Sequence, residues 1–319
     1  MGRGRWRSVP APARTIFEVL NREFEELEKT QKDSLPNLHK AQTLLVGSDY
    51  SGESSGSPYC VYSFLLTSAE AWLTWETKRL EVRKRCFSDS RRMSFKRLGD
   101  KQRKRALGPL LEAADCLEGL SFSAAINKNT SLFAGMPPLD LSNPQFEAFR
   151  KWKKAPLEKA FVIVNFISFL LAGLSRELQD VLWFTDEDMI AANDKRVCEL
   201  SQLFMWISSL YLTFSLGHGR CGTSRCDNGS RQIEDLLAIP DLIAGAIAEQ
   251  LSLKEHDDMP ELKDVFWVHR PEYSDKTKKI TWWLSNSQKP LKRLLCIIDP
   301  SKDGKKDVVS WYHFDDRIE

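Results

Sequence analysis

Three aspartates sit where apolar runs begin or end, and their placement suits a metal site. Asp49 follows the run "TLLVGS", Asp186 follows "VLWFT", and Asp241 comes directly after Pro240 in "IPDLIAGAIAE". Two divalent ions about 4 Å apart need carboxylates converging from several elements, because no single strand surrounds both. Two strand ends and one packed helix meet that requirement. With oxygen donors and no thiolate or imidazole in the set, the ions would be Mg²⁺ or Mn²⁺. One would activate the attacking water, and the other would stabilise the leaving oxygen of a phosphodiester. Each acid also has an ordinary reading. An Asp after a strand forms turns, an Asp in a first helical turn suits the helix dipole, and Asp186-Glu187-Asp188 would suit a solvated loop.

The elements that must position these acids follow from apolar periodicity. The chain has 319 residues and is 42% hydrophobic, enough for a sizeable core. Residues 1–14 read as loosely attached, and 15–34 as an amphipathic helix. "LLVGSDYSGESSGSPYCVYSFLL", residues 44–66, reads as a β-hairpin with its glycines in the turn. Residues 70–88 fit a helix or a twisted strand. The alternation in "MSFKRL" suggests a short strand carrying Lys96. A helix capped by Asp100 should kink or break at Gly108-Pro109. A strand at "SFSAAINKN", helices over 146–174 and from "DKRVCELSQLFMWISSLYLTF", and a buried strand at 181–184 follow. Residues 215–230 read as a Gly/Ser-rich loop. His218, Cys221, Cys226 and Asp227 lie there, but a zinc site would want a second cysteine pair. Pro240 suggests the start of a helix, or the junction of a helix pair. The last sixty residues hold aromatic runs that read as an added sheet or as strands extending the main domain.

Charge is balanced overall, with 46 Lys/Arg against 44 Asp/Glu, but not locally. Residues 78–105 hold thirteen Lys/Arg among far fewer acids. Such a block is either a nucleic-acid contact or an ordinary basic surface. Its later part supplies Arg91, Arg92, Lys96, Arg97, Lys101, Arg103 and Lys104 as candidate phosphate-binding residues. The apolar stretch 160–174 falls short of the roughly 20 residues a bilayer requires, so no membrane contact is expected. No secretory leader is evident, and seven cysteines without a disulfide-like framework fit a cytoplasmic protein. There is no P-loop, dinucleotide fingerprint or Gly-x-Ser-x-Gly elbow. Of the ten tryptophans, most read as packing residues, while some of Trp267, Trp282, Trp283 and Trp311 could stack on bases or form an interface.

On these motifs the chain resembles the DUF3800 family of ribonuclease-H-like proteins. The family's Asp-Glu-Ser-Gly opening corresponds to Asp49-Tyr50-Ser51-Gly52, its lysine-bearing strand to "MSFKRL", its central strand end to "VLWFTDED", and its late helix to "IPDLIAGAIAE". The resemblance covers roughly residues 42–250 and implies a domain over 41–250, preceded by an N-terminal segment 1–40 and followed by a C-terminal extension 251–319. It implies an RNase H-like α/β fold, a mixed five-stranded sheet flanked by helices with metal-binding acids at one edge. It implies a metal-dependent nuclease with Asp49, Asp186, Asp241 and Lys96 as its catalytic group, acting in defence against phage or mobile elements. Glu53 and Asp188 would complete the metal ligands, and Lys96 would contact a phosphate or balance the acids. Nucleic acid is the expected partner, with a protein partner or second copy engaged through the N-terminal helix or C-terminal extension. Tyr50 stands where the family carries Glu, which leaves open a non-catalytic binding protein on the same fold.

Overall fold

The computed structural model describes residues 5–10, 15–31, 33–87, 89–130, 132–133, 144–254, 265–267, 270–286, 289–301 and 307–315. An amphipathic helix, α1 (Ile16–Thr30), precedes strands β1 (Thr43–Ser51) and β2 (Tyr59–Ser68). The turn between the strands depends on Gly52, whose φ of +78° and contact with the Tyr59 carbonyl leave no room for a side chain. Residues 70–88 resolve as helix α2 (Ala69–Cys86), capped by the Ser68 hydroxyl. Helix α3 (Lys101–Ala114) and strand β3 (Gly119–Asn127) follow. Then come helix α4 (Lys154–Leu174), strand β4 (Asp180–Thr185), helix α5 (Asp194–Tyr211) and strand β5 (Gly219–Thr223). Helix α6 (Gln232–Lys254), strand β6 (Val265–Trp267), helix α7 (Asp275–Ser285), and strands β7 (Leu291–Pro300) and β8 (Asp307–Asp315) complete the chain.

The strand order is β5-β4-β1-β2-β3-β7-β8-β6. The expected mixed five-stranded sheet is present as β5-β4-β1-β2-β3, with β4 and β5 parallel to β1 and the β1-β2-β3 meander antiparallel. The sheet is nevertheless wider than five strands. The C-terminal strand β7 pairs parallel to β3, β8 pairs antiparallel to β7, and the three-residue β6 joins β8. The C-terminal segment thus extends the main sheet, because the free edge of β3 offers unpaired backbone groups.

Alternation along the strands sorts the core into two layers. Leu44, Val46, Phe64, Phe122 and Trp183 face the side built by α1, α4 and α5. Val61, Leu65, Ala125 and Leu295 face the side built by α2, α3, α6 and α7. Among the described residues two helices, 154–174 and 232–253, are long and apolar enough to cross a membrane, but each is mostly buried inside the protein.

Several local expectations are corrected. Alternation in "MSFKRL" is real, since Met93 and Phe95 are buried and Lys96 is exposed, but among the described residues the segment pairs with no strand. Residues 95–97 form a 3₁₀ turn, and the Phe95 N–H donates to the Asp241 carboxylate instead of a sheet ladder. Helix α3 runs through Pro109 without a break. The Gly/Ser-rich stretch contains β5 and a short 3₁₀ turn, and Asp227 accepts from the N–H groups of Ile233 and Glu234 to cap α6. Pro240 therefore lies inside α6 and does not mark its start. "KITWWLS" is part of helix α7, where Trp283 is buried and Trp282 is 57% exposed.

The loosely attached N-terminus is also a correction for residues 5–10. Trp6 is buried, its ring stacks on Phe24 at 4.2 Å, and its indole N–H donates to Asn21 Oδ1 at 3.0 Å. The aromatic residue overrode a polar context because α1 and α4 leave an apolar slot between them. Trp6→Ala is expected to lower stability by about 3–5 kcal/mol in urea denaturation. A change within about 0.5 kcal/mol would show that this segment is not part of the core.

Candidate active site

The C-terminal ends of β1 and β4 lie side by side. Ser48 pairs with Thr185 in parallel register, so Asp49 and Asp186 leave the same end of neighbouring strands. Alternation turns Asp49 to the α6 face, together with Gly47, where an added Cβ would meet Leu237 at 3.5 Å and Leu236 at 3.8 Å on α6. On α6 itself, Glu234, Leu237, Ala238, Asp241 and Gly245 repeat at helical spacing and face the same cleft. Asp49, Asp186 and Asp241 all line this cleft, whose volume is about 310 Å³. Lys96 and Arg97 form its rim with Arg92.

The 92–97 segment is fastened to α6 at two points. Phe95 N–H donates to Asp241 Oδ2 at 2.7 Å, and the Phe95 ring lies over Gly245. A Cβ at Gly245 would come within 2.3 Å of that ring, so the small residue in "LIAGA" is what lets the segment approach. This fastening brings Lys96 to the cleft, and Lys276 of α7 covers the outer face of Phe95 at 3.7 Å from the ring centroid.

The carboxylates differ in their partners. Asp186 Oδ1 accepts from Arg92 at 2.8 Å and from Ser224 Oγ at 3.4 Å. Asp49 accepts from the neighbouring Tyr50 N–H at 2.6 Å, and among the described residues no cation is paired with it within salt-bridge distance. Burial pushes the Asp49 carboxyl well above its ordinary range, and the charges of Asp241 and Asp186 push it further. Burial likewise raises Asp241, where the Phe95 N–H and Lys96 pull the other way. Two enclosed acids that disfavour each other's charge are a donor set of the kind a hard divalent ion stabilises. In the arrangement seen, however, no group of three or more His, Cys, Asp or Glu among the described residues is set to hold a metal ion. Asp186 is instead engaged by Arg92.

Glu53 and Asp188, expected as further ligands, belong to a different group. Both bond to Lys159 of α4, Glu53 Oε1 at 2.7 Å and Asp188 Oδ2 at 2.6 Å, and neither lines the cleft. Burial by itself would lower the Lys159 pKa, but Asp188 and Glu53 hold it above its ordinary value. Tyr50 belongs to the same side. Its hydroxyl lies 2.6 Å from Ser48 Oγ and 3.1 Å from Thr185 Oγ1, and Lys159 sits over its ring. The Tyr50 side chain leaves β1 on the face opposite Asp49, although the residue also forms part of the cleft lining.

The basic block divides in two. Arg79 and Arg83 hold the buried Asp235 and anchor α2 to α6. Arg91 pairs with Asp89 and Asp100, Arg103 is buried and paired with Asp100, and Arg92 pairs with Asp186 and Glu234. Of the seven expected phosphate contacts, Arg91, Arg92 and Arg103 are therefore committed within the chain. Lys96, Arg97, Lys101 and Lys104 are exposed. Glu234 was not singled out from sequence, although its place seven residues before Asp241 on a helical face is a signal for it.

No family model matches this chain, so the resemblance to the DUF3800 family finds no support there. No curated protein matches it either. Among solved structures, the ribonuclease H2 from Pyrococcus horikoshii OT3 is similar at 14% identity, with a TM-score of 0.35, over 76% of this chain and 86% of that one. This is a weak likeness to an RNase H-like fold, and at that TM-score it carries no argument about activity.

The raised carboxyls set a pH dependence for the metal-free protein. A folded-state pKa above the unfolded value near 3.9 gives stability that is full below about pH 4 and lost as pH rises through the folded pKa. With a chelator present, Asp49→Asn should lose less stability than the wild type between pH 4 and pH 8. At neutral pH it should be the more stable protein by about 1 kcal/mol in urea unfolding. Parallel pH profiles for the two proteins would contradict the enclosed, repelling cluster.

Proposed function

We propose that this protein is a divalent-metal-dependent nuclease that hydrolyses phosphodiester bonds of DNA or RNA. The observation that carries the reading is the meeting of Asp49, Asp186 and Asp241, from two strand ends and one helix, in one cleft rimmed by exposed Lys96 and Arg97. Bound Mg²⁺ or Mn²⁺, as a pair of ions, would supply a water of lowered pKa and a clamp on the leaving oxygen. The protein's own part is positional. Asp49 and Asp186 offer oxygens from adjacent strands, and the Phe95 N–H fixes the orientation of Asp241. Lys96 and Arg97 would take substrate phosphates, with Lys101 and Lys104 extending that track along the exposed side of α3.

A second reading, a nucleic-acid-binding protein that does not cut, is favoured by one observation. Arg92 occupies the acidic cleft, and as arranged the described residues offer no ready metal cage. Incubation with labelled single- and double-stranded DNA and RNA in Mn²⁺ separates the two. The nuclease reading expects cleavage that Asp241→Asn reduces by about 10²–10³-fold, while Lys154→Ala, on an exposed residue, leaves it unchanged. Binding by the wild type without cleavage of any substrate would favour the second reading.

A further inference from the structure

We propose that Arg92 is a built-in counter-ion of the acidic cleft, which a divalent cation must displace, so that this residue sets the cation affinity of the site. The inference rests on the metal-dependent reading above. The guanidinium reaches Asp186 Oδ1 at 2.8 Å and Glu234 Oε1 at 3.2 Å, and so ties the end of β4 to the first turns of α6. Asp49 adds to the field that holds the group charged. No other arginine of the basic block is described as pairing with one of the three cleft aspartates.

The backbone of Arg92 does not need to move for its side chain to leave. Its carbonyl accepts from Arg103 Nε at 2.7 Å, and Arg103 is itself buried and held by Asp100, while the Arg92 side chain remains 39% exposed. An ion pair exposed to that degree contributes little net stability, because water and salt screen it. A divalent ion brings twice the charge to three carboxylates that the single guanidinium only partly balances. Asp186 cannot give the same oxygen to both, and the two cations repel. A monovalent ion gains no charge by the exchange. The arginine therefore favours divalent over monovalent occupants and weakens the affinity of those it admits. Once displaced, the guanidinium fork stands at the rim beside Lys96 and Arg97, where its donors match a phosphate.

The experiment is calorimetric titration of the metal-free protein with MnCl₂, which needs no catalytic activity. Arg92→Gln should bind Mn²⁺ about tenfold more tightly than the wild type, within the usual range for coupling between sites. Arg92→Lys, which keeps the charge, should stay near the wild-type affinity and guards against a fold lost in the first variant. If the wild type binds Mn²⁺ and Arg92→Gln binds it equally or more weakly, Arg92 is not displaced, and the inference alone is overturned. If no variant binds Mn²⁺ and the wild type does not either, the metal-dependent reading fails and takes the inference with it.

Discussion

Like charges held in one enclosed cleft repel one another, and much of the surrounding structure offsets that repulsion. Asp49 and Asp186 are forced together by the parallel pairing of β1 with β4, and Asp241 is brought over them by the packing of α6 on the same face of the sheet. The chain answers with cations placed around the edge. Arg92 bonds Asp186 directly, Lys96 acts on Asp241 from the rim, and Lys159 acts on Asp49 from the opposite face. Among the described residues none of these cations forms an ion pair with Asp49 itself, and burial holds its carboxyl well above the ordinary range.

The placement of the 92–97 segment follows from the same need. Asp241, in the middle of a helix, is met there by the Phe95 N–H and by a side-chain hydrogen bond from Ser94. The approach requires Gly245, and Lys276 of the C-terminal helix then closes over the Phe95 ring. The widened sheet thus has a bearing on the site. Helix α7 packs against α6 and β8, and its Lys276 backs the element carrying Lys96.

Legibility in the sequence tracked how local each signal was. Asp49 and Asp186 could be read because apolar runs mark strand ends within a few residues. The hairpin could be read for the same reason, whereas the five-stranded sheet was only what the family resemblance implied, and β7, β8 and β6 widen it. Asp241 was recognisable by its motif but was assigned to the wrong turn of its helix, because Asp227, the true cap, lies in a stretch whose glycines suggest a loop. The pairing of Arg92 with Asp186 spans 94 positions, and no periodicity announces a contact at that separation. The pairing of Glu53 and Asp188 with Lys159 was not legible, because Lys159 stands near the start of an apolar helix and gave no sign of reaching back to both.

The most direct test of the central claim is anomalous X-ray diffraction from crystals of the protein grown or soaked with Mn²⁺. Anomalous density is expected in the cleft, coordinated by Asp49, Asp186 and Asp241, with the Arg92 guanidinium moved off Asp186. Crystals that keep the Arg92–Asp186 pair and carry no manganese between the three aspartates would contradict it.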